Sequence, residues 1–403
     1  MNRVLTAVLL LLCAGDIFAQ ERESVVIDGT EYDYRYTPID QSNTTSSGGC
    51  SGLSFLAPIP VGRDGYISYM IAPAYTAETS LLLGASVGYS KYRSVESQAG
   101  GAGQKICDIS LLGSVSISGY YAVGVEGVNL LGKGGSQRLL YGINVGSEPS
   151  RIWGVEYASA CGSTYHKYTE KEYSAWLKYL FSVKGFTVGA YADYRYVEVV
   201  NLDDGAAEIL RSEQHRVSTA GIGVSLAYDS RKQPAYERGR YSGGVRGVYA
   251  MIEALYRPEL LSNIDRDILQ LRAVVDYYQP LWRGGLMALD IYGETSTPGT
   301  PWLLSPKMGS DSRMRGYYSG RFRGDYLASA QVELRQHIWN GIGVVAWGGA
   351  GVILSQGDNI NWQSVLPTYG AGLRYSYEQL TIRFDVAFGC DGPAFILGLS
   401  EAF

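Results

Sequence analysis

From about residue 66 to the C-terminus the chain repeats one pattern: stretches of roughly 9 to 15 residues alternate apolar with small or polar side chains. Turn chemistry separates these stretches. Period two sets one face of each against an apolar medium and the other against a polar one, as in β-strands. The clearest is Ile342 to Ile353, which follows Asn340-Gly341, a dipeptide suited to a tight hairpin. Thr368 to Tyr377, Leu380 to Gly389 and Ala394 to Phe403 come next. Upstream, the same reading predicts strands near 325–339, 283–295, 265–279, 240–256, 214–229, 185–199, 170–183, 151–160, 137–147, 120–131, 107–118 and 80–92. That makes sixteen, and single-chain bacterial barrels have an even number of strands.

Connection lengths add a second argument. If the last strand ends in the periplasm, the turns at 340–341, 377–379, 183–185 and 118–120 fall on the periplasmic side, and all are short. The longer connections at 296–324, 200–213, 93–106 and 158–169 then fall outside. Short periplasmic turns and longer external loops characterise transmembrane barrels. A soluble β-sandwich would also explain the alternation, but not sixteen strands in one unit. The expected fold is therefore all-β: a sixteen-stranded antiparallel transmembrane β-barrel over residues 61–403.

Composition adds the environment. The chain is 46% hydrophobic with 33 Tyr, 51 Gly and 7 Trp, which suits aromatic girdles and tight turns. At the start, Arg3, the apolar run Val4 to Cys13 and Ile17-Phe18-Ala19 before Gln20 predict a secretory signal peptide over 1–19. The expected location is the cell outer membrane, with its lipids as surroundings. A lipid-modified Cys13 is the alternative, disfavoured by Leu12 where a small residue is wanted. Residues 20–60 read as a polar extension containing Ser42-Asn43-Thr44-Thr45-Ser46-Ser47-Gly48-Gly49. A net charge of −5 argues against nucleic acid as a partner. Cys50, Cys107, Cys161 and Cys390 are scattered rather than set at zinc spacings, so neither metal nor cofactor is expected.

The connection before the 325–339 strand carries the most specific chemistry. It reads Gly309-Ser310-Asp311-Ser312-Arg313-Met314-Arg315-Gly316-Tyr317, then Arg321-Phe322-Arg323-Gly324-Asp325. Four arginines in so short a segment are costly against lipid but natural in a loop folded into a polar lumen. There Arg315 would fork onto a carboxylate of the inner wall, and Glu333 on the next strand is the nearest candidate. A solvated basic loop is the plainer alternative. Catalytic candidates are poor. Gly84-Ala85-Ser86-Val87-Gly88 lies inside a predicted strand rather than at a strand-to-helix elbow, and nothing in sequence links His166, His215, Glu170 or Glu213. No enzyme activity is expected.

At Met314-Arg315-Gly316-Tyr317 the chain resembles the bacterial surface antigen family of BamA/TamA-type barrels, whose sixth external loop carries an Arg-Gly-Phe/Tyr motif after an apolar residue. Gln331-Val332-Glu333-Leu334-Arg335 is similar to the strand that follows it there. Tyr228-Asp229-Ser230-Arg231 with Pro234 and Gly239 resembles a turn of these barrels. Arg383-Phe384-Asp385, Ser400-Glu401-Ala402-Phe403 and Pro73 to Gly84 resemble the penultimate strand, the terminus and the approach to the first strand. The resemblance covers roughly 60–403. It implies an inward-folded sixth extracellular loop tied near Arg315 and Glu333, and a terminal assembly signal formed by Leu397, Leu399 and Phe403, whose aromatic ring suits the interface belt.

The chain departs from that pattern in three places. Some forty residues before the barrel are too few for a periplasmic POTRA module. Around Trp347-Gly348-Gly349-Ala350-Gly351 there are glycines where the motif arginine would meet an Asp, and Glu401 stands where the terminal signal prefers an apolar residue. Cys107 at the external end of the second predicted strand and Cys390 before the last strand would approach each other on closure, a candidate disulfide. Two roles remain open. One is protein or lipid insertion or translocation, with periplasmic or lipoprotein partners supplying the POTRA role. The other is a passive channel, receptor or structural barrel.

Overall fold

The computed structural model describes residues 25–27, 30–32, 59–93, 104–131, 136–155, 157–162, 164–232, 245–358, 364–377, 380–390 and 392–403. The predicted signal peptide, most of the polar extension, Cys50, Pro234 and Gly239 lie outside them. Sixteen long strands make a closed antiparallel barrel: β1 (Gly65–Thr76), β2 (Ser80–Arg93), β3 (Gln104–Ser116), β4 (Tyr121–Leu131), β5 (Gln137–Ile152), β6 (His166–Val183), β7 (Phe186–Val200) and β8 (Arg216–Asp229), then the second half. That half comprises β9 (Gly247–Arg257), β10 (Ile268–Trp282), β11 (Gly285–Ser296), β12 (Tyr326–Trp339), β13 (Ile342–Leu354), β14 (Leu366–Tyr377), β15 (Leu380–Gly389) and β16 (Gly392–Leu399). A three-residue strand, Ile59–Val61, pairs with the start of β1.

The alternation that predicts strands also decides which way the wall faces. Along β2, Leu81, Leu83 and Val87 point outward while Gly84, Gly88 and Ser90 are buried. The same inversion runs round the barrel. Val115, Ile222 and Leu373 are 58%, 63% and 57% exposed, whereas Lys178, Glu253, Asp276, Asp290, Glu333 and Asp385 are buried. A water-soluble fold would reverse this arrangement; an apolar outer band and a polar interior are what a bilayer selects.

The count of sixteen agrees with the sequence reading, but two assignments differ. Residues 65–76 form β1, which the alternation missed because Ala72-Pro73-Ala74 interrupts the pattern of large apolar residues. The predicted strand near 151–160 does not exist: β5 runs on to Ile152, and the chain then turns into the short helix α1 (Tyr157–Ala160). Trp153 there is buried beneath a neighbouring loop, so its apolar character reflects loop packing. One missing and one extra strand cancel in number, yet they invert the ends of everything between them. The turn after β3 therefore lies on the rim that carries the 297–325 loop, here called the upper rim; Ser118 Oγ donates to Thr79 O of the neighbouring β1–β2 turn at 2.8 Å. The 93–106 connection belongs to the opposite rim, contrary to expectation.

Loops close part of the upper mouth. The helix α2 (Asp204–Ile209) begins at Asp203, whose side chain accepts from Ala206 N at 2.8 Å. Ala206 and Leu210 pack with Ile264, Trp302, Leu303 and Leu304 on the inward residues Tyr168, Val197 and Val217. The wall is closed least firmly where its two ends meet. Between β16 and β1 the direct ladder is a single pair, Leu397 opposite Tyr75, with the short strand Ile59–Val61 standing between them in the strand order, whereas β15 and β16 pair continuously from Ile382–Leu399 to Gly389–Gly392.

Candidate functional site: the inward loop and the seam

The connection between β11 and β12, sixth on the upper rim, folds down into the lumen. Trp302–Leu304, Met308, Met314, Tyr317, Tyr318 and Phe322 are buried, and Arg315 is fully so. At the tip, Met314 and Gly316 adopt φ of +50° and +97°. Glycine is required at the second position: a Cβ there would lie 2.7 Å from Gly389 N and Phe388 C of β15. The Arg-Gly pair thus lets the loop backbone lie directly on the wall beside the seam.

Arg315 then spans two strands. Its Nη2 donates to Glu333 Oε2 on β12 at 2.7 Å and its Nη1 to Asp385 Oδ2 on β15 at 2.9 Å. The guanidinium stacks 3.7 Å from the ring centroid of Trp347 on β13. The two carboxylates do not rest on Arg315 alone. Arg335 Nε reaches Glu333 Oε1 at 2.8 Å, Arg374 Nη1 reaches Asp385 Oδ1 at 2.5 Å, and Arg374 Nε reaches Glu401 Oε2 at 2.8 Å. Three guanidiniums face three carboxylates, so the cluster is neutral, with Glu401 partly exposed at its edge.

Further ties fix the rest of the loop. Arg313 Nε sits 2.9 Å from both oxygens of Asp290 on β11, and Arg383 of β15 holds Asp311 at 2.6 Å. Thr368 Oγ1 donates to Arg315 O, and Tyr317 Oη donates to Pro367 O at 2.6 Å. Ser319 N donates to Glu78 Oε1, in the β1–β2 turn, at 2.8 Å. Burial raises the Glu78 carboxyl above its ordinary value, with its backbone hydrogen bonds opposing. Arg321 Nε and Nη2 take Ala160 O and Gly162 O at 3.0 and 2.9 Å, while Arg323 stacks 4.0 Å from the Trp302 centroid.

Glu333 is where the sequence reading put it relative to Arg315. Asp385, noted only as part of a resembling strand, is the missed partner. The Asp sought near 347–351 is supplied from two strands further on, and the glycines there make room instead: a Cβ on Gly351 would lie 2.9 Å from Met314 Sδ. Alternation carried a signal for Asp385, since Arg383 and Asp385 share one face of β15 and the outward Phe384 stands between them.

The terminus differs from expectation. Leu397 packs inward with Ala72, Ala74, Leu82 and Leu112, and Leu399 lies against the same cluster. Ser400, at φ +74°, then turns the chain away from the ladder. Phe403 packs on Tyr278, Leu286 and Ala288, with Arg335 5.3 Å from its ring centroid, so it lies at the inner wall rather than in an outward belt. Glu401 is polar because it serves Arg374.

Cys107 and Cys390 are both free and lie near opposite rims, since β3 begins at the lower one; the suggested bridge between them is excluded. Asp229 and Arg231 of the resembling turn form a forked ion pair at 2.6 to 3.0 Å. Ser86 lies mid-strand in β2, His166 faces Asp203, His215 faces Leu210 O, and Glu170 is held by Lys307 and Arg323.

No known protein-family profile matches the chain, and no curated protein matches it in sequence. Solved structures do match in fold. BamA from Haemophilus ducreyi lacking POTRA domains 1–3 is similar with a TM-score of 0.56 at 13% identity, over 84% of this chain and 70% of that one. CdiB from Escherichia coli gives 0.54 at 12% identity, over 85% of this chain and 63% of that one. CdiB from Acinetobacter baumannii gives 0.51 at 12% identity, over 84% and 60%. The chain thus spans less than two thirds of either CdiB. The sixteen-stranded antiparallel barrel with BamA-like architecture is the conclusion these likenesses support.

Proposed function

We propose that this chain is an exported outer-membrane barrel that helps proteins or lipids enter the bilayer through the seam between β16 and β1. The observation that carries the reading is the single-pair ladder at that seam, set beside a loop anchored to both β12 and β15 through Arg315. A continuous sixteen-stranded wall needs no weak joint for passive function. A joint that parts exposes unpaired N–H and C=O groups along two edges, and such edges template the addition of further strands. Arg315, Gly316 and Tyr317 hold the loop, Glu333 and Asp385 receive it, and the inward-turned Leu397, Leu399 and Phe403 set the resting position of the last strand.

Partial closure of the upper mouth by the Trp302–Leu304 cluster favours this role over a wide channel. A separate periplasmic protein or lipoprotein is the proposed partner of the barrel in this role. A pull-down of the native protein from outer membranes in gentle detergent, read by mass spectrometry, tests the partnership. Stoichiometric periplasmic or lipoprotein companions are expected; a clean monomer that conducts ions would favour a passive channel.

A further inference from the structure

At the upper rim a cavity of about 510 Å³ lies between the seam, the inward loop and the β5–β6 loop. Its lining includes Thr76 and Glu78 from one side of the seam, Pro393 and Ile396 from the other, and two cysteines from separate elements. Cys161 follows α1 in the β5–β6 loop; Cys390 lies in the turn between β15 and β16. Both thiols are exposed.

The inward loop brings the two together. Arg321 donates to the carbonyls on either side of Cys161, which fixes that backbone against the loop. On the other side, Gly316 packs so tightly on Gly389 that neither position has room for a Cβ, which fixes the residue preceding Cys390. Desolvation raises the Cys390 thiol above its ordinary value; the Arg321 charge opposes the rise and the Cys161 group, close enough to act on it, adds to it. Tyr157 of α1 feels both cysteines. Two thiols that line one cavity from separate elements, each fixed by the same inward loop, are placed for exchange with a disulfide oxidant.

We propose that Cys161 and Cys390 are a redox pair whose disulfide joins the β5–β6 loop to the turn of the seam hairpin, over the top of the inward loop. One thiolate attacks a disulfide oxidant and releases a thiol from it. The second thiolate then attacks the mixed disulfide and releases the other. Two S–H groups lose their protons, one S–S bond forms, and the oxidant's S–S bond is reduced to two thiols. The bond ties the outer end of β16 to a loop on the far side of the cavity; its existence does not depend on the insertion reading.

The full-length protein, folded in detergent micelles, is equilibrated with oxidised glutathione, alkylated with a maleimide, digested without reduction and mapped by mass spectrometry. The expected result is a linked Cys161–Cys390 peptide that separates on reduction, with Cys107 alkylated throughout. C107S is expected to keep the link, and C161S to leave Cys390 fully open to alkylation or glutathione. Both thiols alkylated after oxidation in folded wild-type protein would overturn the proposal, as would linkage of either one to Cys50 or Cys107. Retained resistance of the wild type to trypsin verifies that the sample tested is folded.

Discussion

Replacing Arg315 by alanine removes one positive charge from a cluster that is neutral as it stands. Arg335 and Arg374 remain, facing Glu333, Asp385 and Glu401, so one negative charge is left without compensation. Breaking a buried ion pair by removing one partner costs about 3–5 kcal/mol. Glu333 keeps Arg335 at 2.8 Å and Arg374 at 3.8 Å, and Asp385 keeps Arg374 at 2.5 Å, which places the loss near the lower end, at about 3 kcal/mol. Lysine keeps the charge but neither forks across two strands nor stacks flat on Trp347, so R315K loses about 1–2 kcal/mol. The measurement is urea unfolding in micelles followed by tryptophan fluorescence, together with trypsin cleavage at Arg313, Arg321 and Arg323. The expected order of resistance is wild type, R315K, R315A. Because the damage is an uncompensated charge, E333Q added to R315A restores neutrality and recovers part of the loss. An unchanged unfolding midpoint and an intact loop in R315A, or a double variant as weak as the two losses added, would refute the clamp.

Gly316→Ala meets wall backbone at 2.7 Å and a positive φ, so it should free the loop to trypsin at a cost of about 2–4 kcal/mol, read in the same assays. Phe403→Ala removes an inward contact with Tyr278, Leu286 and Ala288 and should lower the unfolding stability by about 2 kcal/mol. Burial raises the Glu78 carboxyl, so the folded state holds that proton to higher pH than the unfolded chain. Stability from this group is therefore full below the ordinary carboxylate value and falls as pH rises through the raised one. E78Q should gain on wild type in urea midpoint across that window, and equal midpoints at every pH would remove the effect.

Much of the barrel was legible because lipid and lumen impose opposite demands on alternate residues. Asn340-Gly341 and the stretches around it need no tertiary information to be read. β1 was not legible, since Ala72-Pro73-Ala74 carries too little apolar contrast, and Trp153 misled because a residue buried under a loop resembles one buried in a wall. Arg315 and Glu333 could be paired because β12 follows the loop directly. Asp385 lies 52 residues beyond Glu333, and only the strand order brings it to the same guanidinium. The inward turn of Ser400 to Phe403 depends on Arg335 and Arg374, which local pattern does not reveal.

For the proposed insertion role, β16 and β1 must part at the seam. In a background with the native cysteines changed to serine, Ala74→Cys and Leu397→Cys place two thiols on the inner face of that seam, where the two side chains pack in one cluster. The oxidised and reduced forms would be compared in liposomes for the rate at which a urea-unfolded small barrel protein folds into the bilayer. Acceleration by the reduced form is expected, with loss of acceleration when the bond is closed and its return on reduction. Equal acceleration by the bonded and unbonded forms would contradict that role.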